Sequence, residues 1–240
     1  KVKIGASLGE GCSPVLHKGK LVVVRDNRGQ STIHVLNAKN GETIWMRNRN
    51  TRNGWSTPAV VEHEGKTQVI TTASRQKEGD RSNPGKVISY DLENGNVIWE
   101  CSGLTDNAIP CPIVEDGIAY CMTGYQGFSV LAVPISGEGD QSKNILWKGD
   151  LGTPYVPSAV LYDGLLYFTQ SNQAILSCVD AKTGKVFMER TRIKGLSNVY
   201  ASLTGAGNHV YVFGRYGKTA VIKRTGKFDL VSTNTLADRF

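Results

Sequence analysis

The phrase "NAKNGETIW" (residues 37–45) recurs as "DLENGNVIW" (residues 91–99) and "DAKTGKVFM" (residues 180–188), and this repetition is the most informative feature of the sequence. Each copy carries a central glycine, and a bulky apolar residue follows four positions later. One active site suffices for an enzyme, so a catalytic motif has no reason to recur. A structural unit that stacks on copies of itself must recur. The three copies therefore predict a repeat architecture.

Short runs with period-two alternation surround each copy of the phrase. In the first unit they read "SPVLH", "KLVVVR", "TIHVLN" and "ETIWMR", and comparable sets of four follow along the chain. They are rich in Val, Ile, Tyr and Thr and are bounded by Gly, Asn and Asp, which is typical of strands. The bulky anchor recurs after 41 to 54 residues, at Trp45, Trp99, Trp147, Met188 and Leu230. Four strands in that length indicate a β-propeller blade.

The predicted fold is all-β: a β-propeller of four-stranded antiparallel blades, with five full blades plus one strand of a further blade, cut from a larger propeller. A closed ring of five blades is the alternative. The single domain covers residues 1–240, with blades at about 12–50, 56–103, 109–150, 156–193 and 199–233, and with residues 1–5 as the outer strand of a preceding blade. The predicted blade-docking residues are Gly41, Trp45, Gly95, Trp99, Trp147, Gly184 and Met188. Their glycines supply a positive φ, and their large side chains pack on the next blade.

The segments "LNAKNGETIW", "YDLENGNVIW" and "VDAKTGKVFM" resemble the repeat of the pyrroloquinoline-quinone-like (PQQ-like) propeller family, which has BamB-like and quinoprotein alcohol dehydrogenase-like branches. The blade starts "CSPV", "STPAV" and "PCPIV" resemble this family too. Quinoprotein dehydrogenases are expected to carry adjacent cysteines, an Asp base and a calcium site, and no such residues are matched here. The resemblance thus implies a binding propeller, with no catalytic, cofactor-binding or metal residue predicted. PQQ and calcium belong only to the alternative, a quinoprotein oxidoreductase whose site lies partly outside this segment.

The net charge of +7 becomes informative once the charges are sorted by propeller face. Loops between the second and third strands, and between successive blades, share one face. We assign to it the basic residues Arg25, Arg28, Arg47, Arg49, Arg52, Arg75, Lys77, Arg81, Arg190, Arg192, Lys194, Arg215 and Lys218, against the acidic residues Asp26, Glu78, Asp80 and Asp106. The same face receives the aromatic residues Trp55, Tyr125, Tyr155, Tyr200 and Tyr216. The opposite face is roughly balanced.

This combination predicts a face that binds another protein or an anionic, extended ligand. Ordinary solvated arginines and core aromatics are the alternative interpretation. A carbohydrate-binding or carbohydrate-processing propeller is a further one, whereas nucleic acid is not expected as a partner because no binding signature is present. The expected location is periplasmic or secreted, with the leader, and any lipid anchor, outside this segment and no transmembrane segment within it. The five cysteines predict buried thiols, with a Cys101–Cys111 bridge as the alternative.

Overall fold

The computed structural model describes Gly9 and residues 11–238, and this part of the chain is all-β. Its strands are β1 (Val15–His17), β2 (Lys20–Arg25), β3 (Ser31–Asn37), β4 (Thr43–Arg49), β5 (Ala59–His63), β6 (Lys66–Ala73), β7 (Gly85–Asp91), β8 (Val97–Leu104), β9 (Ile113–Glu115), β10 (Ile118–Thr123), β11 (Ser129–Pro134), β12 (Gly139–Asp140), β13 (Trp147–Gly149), β14 (Val160–Tyr162), β15 (Leu165–Thr169), β16 (Ile175–Asp180), β17 (Val186–Arg192), β18 (Thr204–Ala206), β19 (His209–Phe213), β20 (Lys218–Lys223) and β21 (Leu230–Thr235). No helix long and apolar enough to cross a membrane occurs in this part of the chain.

The strands form five sheets, which are the five blades of a β-propeller. Blade 1 is β1–β4, blade 2 is β5–β8 with β12 added at its outer edge, blade 3 is β9–β11 with β13, blade 4 is β14–β17 and blade 5 is β18–β21. Consecutive strands within each blade pair antiparallel. The fold class and the five full blades are therefore confirmed. The predicted outer strand at residues 1–5 lies outside the described residues.

The first strand of each blade is the innermost one. These strands contact one another between neighbouring blades, β1 with β5, β5 with β9 and β14 with β18. Hydroxyl groups link the segments that lead into them: the Ser13 backbone N–H donates to Thr57 Oγ1 at 3.1 Å, and that of Cys111 donates to Ser158 Oγ at 3.0 Å. The Ser158 N–H in turn donates to Ser202 Oγ at 3.0 Å. The small hydroxyl residues at the blade starts thus join each inner strand to the next blade.

The hydrophobic core consists of four clusters, and each lies between two adjacent blades. Val22 and Trp45 of blade 1 pack with Val69 and Tyr90 of blade 2. The other three clusters join blades 2 and 3, blades 3 and 4, and blades 4 and 5 in the same way. Burial of apolar area, the main favourable contribution to folding, is therefore located at the interfaces between blades.

The glycine and the tryptophan of the repeated phrase meet across these interfaces. Trp45 is buried, and its indole N–H donates to the Leu92 carbonyl of blade 2 at 2.8 Å. Its ring lies so close to Gly95 that a Cβ there would be 2.6 Å from Trp45 Cε3. Trp147 lies on Gly184 of blade 4 in the same manner. Each such glycine therefore supplies a left-handed φ and also the space for the preceding blade's indole.

Trp99 is fully buried but docks differently, because blade 3 lacks the glycine turn of the phrase. Its indole N–H donates to Gln68 Oε1 at 2.9 Å, while Gln68 Nε2 donates to the Ile135 carbonyl of blade 3 at 2.8 Å. The insertion "PISGEGDQSKN" takes the place of that turn. Part of it forms β12, which pairs in parallel with β8 of blade 2 at Trp99 and Glu100. The sequence did not predict this added strand.

In blade 5 the fourth strand is shifted relative to the predicted register. Val35, Ser89 and Cys178 pair with Trp45, Trp99 and Met188 respectively. The matching pair in blade 5 is Val221 with Ser232. Leu230 lies two residues before Ser232 along the strand and pairs with Ile222. The interpretation of Leu230 as the fifth anchor is therefore wrong. The turn after β20 is longer, so counting four positions from Gly226 does not reach the docking position.

All five cysteines are free, and Cys101, Cys121 and Cys178 are buried. The alternative of a Cys101–Cys111 bridge is not realised. Burial raises the pKa of the Cys101 thiol to about 11 and that of Cys178 to about 12. These thiols behave as small apolar core side chains.

Candidate partner-binding face

One face of the propeller, which we call the basic face, is built from the loops between second and third strands and from the connections between blades. Its exposed or half-buried cationic side chains are Arg25, Arg28, Arg52, Lys77, Arg81, Arg190, Arg192, Lys194, Arg215 and Lys218. The acidic residues at this end of the blades that are not buried are Glu78, Asp80, Asp150 and Asp238. Positive charge thus predominates on the accessible part of this face.

Arg49 was predicted to contact a partner, and the structure corrects this. Its guanidinium is buried and forms a bidentate ion pair with Asp26, with N–O distances of 2.8 and 3.0 Å. It also donates to Thr71 Oγ1 and Tyr90 Oη of blade 2. Burial alone would lower the pKa of Arg49, but the Asp26 carboxylate and the Tyr90 hydroxyl together raise it above its ordinary value. Arg49 is a cross-link between blades 1 and 2.

Arg75 is a second buried cation that was assigned to the accessible face. Its Nη1 lies 2.9 Å from Asp106 Oδ2 and 3.3 Å from the Gln126 carbonyl. The Gly79 N–H also donates to Asp106, at 3.2 Å. The ion pair joins the long β6–β7 loop to the β8–β9 connection, and the hydrogen bond to Gln126 reaches the β10–β11 loop of blade 3. Arg75 therefore stiffens the base of the face and is not available to a partner.

Arg47 lies on the outer wall of the propeller and not on the basic face. It is in the middle of β4, and its Nη2 donates to the Asn94 carbonyl at 2.7 Å. Its guanidinium also lies 5.9 Å from the centre of the Trp45 ring. Asn94 belongs to a turn on the opposite face, so the prediction for Arg47 is wrong. The side chain covers the Trp45–Gly95 contact.

Arg190 and Arg192, at the end of β17, do reach the basic face. Arg190 Nε donates to Gln170 Oε1 at 2.9 Å, and Arg192 Nη2 donates to Gln173 Oε1 at 3.4 Å. Both side chains are exposed. Their protein partners are uncharged amides, so the positive charge remains available to an anion.

Asp80 is an ionised carboxylate on this face that is held by its own loop. Hydrogen bonds from Asn83 and Ser82 lower the pKa of Asp80 to about 2. These donors already occupy both carboxylate oxygens within the β6–β7 loop. The carboxylate is therefore ionised but engaged with its own loop.

The structure brings two of the predicted aromatic residues together near the centre of the face. The rings of Tyr125 and Tyr155 stack with centroids 4.9 Å apart. The Tyr125 hydroxyl donates to Glu78, and Asn107 Nδ2 donates to the Tyr155 hydroxyl at 3.3 Å. Both rings are half-buried. They form a rigid amphipathic platform between blades 3 and 4.

The other predicted aromatic residues have separate roles. Tyr200 is exposed, and the Arg215 guanidinium lies 5.2 Å from its ring centre. Tyr216 is exposed on the same loop as Arg215. Trp55 instead packs against Gly11, and its indole N–H donates to the Gly9 carbonyl at 3.1 Å. Trp55 is therefore engaged by its own chain, in contrast to the predicted partner contact.

Several residues that line a small cavity on this face carry no recognisable sequence pattern. Asn53 and Asn107 lie in loops without periodicity, yet with Arg52 and Arg75 they line a cavity of about 10 Å³. Asn53 Oδ1 and Arg75 Nε are buried there without a protein partner. The space suits a single water molecule that would satisfy both groups. Only the three-dimensional approach of blades 1, 2 and 3 reveals this cluster.

PQQ and calcium belong to the quinoprotein alternative. Within the described ranges, no group of three or more His, Cys, Asp and Glu side chains is placed to hold a metal ion.

The family model described as outer membrane protein assembly factor BamB matches residues 5–190. The chain belongs to this family of PQQ-like propeller repeats, as its repeated phrase suggested. A search of curated protein sequences finds no significant match.

Solved structures show the same fold at low sequence identity. BamB from Moraxella catarrhalis superimposes with a TM-score of 0.62 at 15% identity, covering 93% of this chain and 61% of that one. The computationally designed Ika8 protein gives 0.63 at 16%, covering 95% and 63%. Quinohemoprotein alcohol dehydrogenase from Comamonas testosteroni gives 0.58 at 13%, covering 95% and 43%. The chain spans about three fifths of the BamB and Ika8 chains.

Proposed function

We propose that this chain is a non-catalytic, extracytoplasmic binding platform, periplasmic or secreted, that holds an acidic, extended part of another protein on its basic face. The observation that carries the proposal is the accessible positive charge. Ten exposed or half-buried cationic side chains lie in loops or at strand ends of blades 1, 2, 4 and 5, on the same face as the stacked Tyr125–Tyr155 pair. Arginine and tyrosine are among the side chains most enriched at the energetic hot spots of protein interfaces.

Two buried ion pairs hold the loops of the basic face in place, which favours its use as a rigid binding surface. Arg49–Asp26 and Arg75–Asp106 fix the loops beneath the face through cross-blade hydrogen bonds. Each pair is buried and joins loops through several hydrogen bonds, so the loops are held in one arrangement. A partner would therefore meet a preorganised surface and lose less entropy on binding.

The family membership supports the extracytoplasmic part of the proposal. The matching family is described as an outer membrane protein assembly factor, and a BamB structure shares the propeller fold. A role in assembling other proteins suits a surface with charge and aromatic groups but without a metal cluster in the described residues.

Charge reversal on the basic face tests the proposal. The variant changes Arg28, Arg81, Arg192 and Arg215 to Glu, and the probe is fluorescently labelled poly-L-glutamate. We expect affinity to fall at least about tenfold, because each lost ion pair contributes up to about 1 kcal/mol. Affinity for the unaltered protein should also fall with added salt.

The matched control changes four exposed lysines elsewhere to Glu: Lys39, Lys143, Lys182 and Lys227. It alters net charge by the same amount but leaves the basic face intact. Equal losses in both variants, or no loss in either, would remove the proposal. Both variants should keep melting temperatures within a few degrees of the parent, since none of these side chains is buried.

A further inference from the structure

We propose that the groove between β8 of blade 2 and β13 of blade 3 binds an extended polypeptide segment, which inserts one large apolar side chain beside an acidic one. This inference rests on the proposed function, because it assigns the chemistry of the partner. It concerns a surface beside the basic face that the charge pattern does not reveal.

The chain itself shows that the outer edge of β8 accepts a strand. β12 pairs there in parallel at Trp99 and Glu100, and the Gln141 N–H donates to the Glu100 carbonyl at 2.7 Å. The next contact is the Ser102 N–H to Ser142 Oγ at 2.9 Å, after which the insertion turns away. β8 continues to Leu104, and in the described chain β12 is the only strand on its outer side. A peptide can extend the pairing where β12 stops.

A cavity of about 420 Å³ lies at this point. Ligand-sized sites in proteins begin at about 300 Å³. Its apolar wall is formed by Phe128, Leu131 and Ile145. Gly103 keeps the space open, since a Cβ at Gly103 would lie 3.2 Å from both methyl groups of Leu131. The volume and the lining therefore suit an aromatic or large aliphatic side chain.

The polar part of the groove specifies the neighbouring groups of the segment. Lys148 and Asp150 line the cavity, and neither forms an ion pair among the described residues. The Lys148 ammonium suits a carboxylate, and the Asp150 carboxylate suits a backbone N–H or a hydroxyl donor. Asp150 begins the connection from β13 to β14, so the groove opens at the rim of the basic face. An acidic segment held on that face can continue into the groove.

The position of the groove favours an extended peptide over a further blade of the propeller as its occupant. Blades 2 and 3 already contact each other through Trp99, Gln68 and Ile135. A further blade of the propeller therefore cannot insert between them and cover the cavity. A strand edge beside an apolar cavity matches peptide recognition by strand addition, in which main-chain hydrogen bonds give affinity and a pocket gives specificity.

The test uses the full chain and a labelled peptide of alternating Thr and Glu with one central Phe, in fluorescence polarisation. A second peptide replaces Phe by Ala. We expect the Phe peptide to bind at least about tenfold more tightly, because burial of a phenyl ring is favourable. Ser102→Phe, which fills the cavity, should abolish this preference, and Lys148→Glu should weaken binding of both peptides.

Lys143→Glu is the matched control, because Lys143 is exposed in the same insertion but does not line the cavity. It should leave both affinities within about twofold, the range expected of a surface change. Equal binding of the Phe and Ala peptides would contradict the proposal that the groove binds a peptide. A preference for Phe that persists in Ser102→Phe would contradict it as well. Poly-L-glutamate titrations run in parallel report on the basic face alone. If the peptide measurements contradict the groove while poly-L-glutamate still binds, the proposed function of the basic face is unaffected.

Discussion

At the scale of single residues, the contact between Trp45 and Gly95 makes the strongest prediction about stability. Gly41 and Gly95 occupy equivalent turns with φ of 75° and 72°. A Cβ at Gly41 would meet nothing within 4 Å, whereas one at Gly95 would lie 2.6 Å from the Trp45 ring. Alanine at either position costs about 1 kcal/mol for the left-handed backbone. Gly95→Ala should cost about 1–3 kcal/mol more, because the indole must move.

Urea denaturation of Gly95→Ala and Gly41→Ala measures this difference directly, since the backbone strain is common to both variants. Equal free energies of unfolding would show that the glycine serves only the turn. A larger loss in Gly95→Ala would establish that the repeated phrase encodes an interface between blades.

The sequence reveals the spacing of these residues but not their partners. A glycine followed four positions later by tryptophan or methionine is visible in each copy. The contact, however, joins the tryptophan of one blade to the glycine of the next, as Trp45 does with Gly95. Arginine burial is hidden for the same reason. Arg49 and Arg192 both end a fourth strand, but only Arg49 meets a carboxylate, on a loop 23 residues away. Side-chain charge and strand position alone cannot distinguish the two.

At the scale of elements, strand patterns predicted the blades well and their edges poorly. Alternating runs located four strands per blade because buried and exposed faces alternate along a strand. The sequence does not predict β12, because its two residues, Gly139 and Asp140, show no alternation of apolar and polar side chains. The sequence does not predict the register shift of β21 in blade 5, because a turn of altered length moves every side chain that follows it. Ser232 thus occupies the docking position without a bulky side chain.

Replacing residues 136–143 by an Asn-Gly turn tests the role of β12. The change removes the Gln141 and Ser142 hydrogen bonds to β8 and exposes its outer edge. We expect the free energy of unfolding to fall by about 1–3 kcal/mol. The uncovered edge should also cause association at high concentration, which light scattering after size exclusion detects.

Glu138→Ala combined with Lys143→Ala is the control for this deletion, because it changes the charges of the insertion but keeps β12. If the deletion variant has the same mass in solution as the parent chain and an unchanged unfolding midpoint, β12 does not protect the edge. Association of the control as well would point to charge and not to strand cover.

At the scale of the whole molecule, the hydrophobic core is divided among the interfaces between neighbouring blades. Its four clusters each join two neighbouring blades, so a blade has no apolar contact with blades beyond its neighbours in these clusters. A structure built this way resembles a linear array in which stability is a sum of nearest-neighbour terms. Damage at one interface should then remain local.

Ile222→Ala in blade 5 and Leu131→Ala in blade 3 test this locality, because both side chains are almost completely buried. Each change should destabilise its interface by about 2–5 kcal/mol. Hydrogen–deuterium exchange should rise in blades 4 and 5 for Ile222→Ala, while β2 and β3 of blade 1 keep their protection. Leu131→Ala should instead raise exchange in blades 2 and 3, because Leu131 packs with Trp99 and Leu104. A uniform rise across all five blades in both variants would mean that the blades unfold as one cooperative unit, and that the interfaces are coupled through the inner strands.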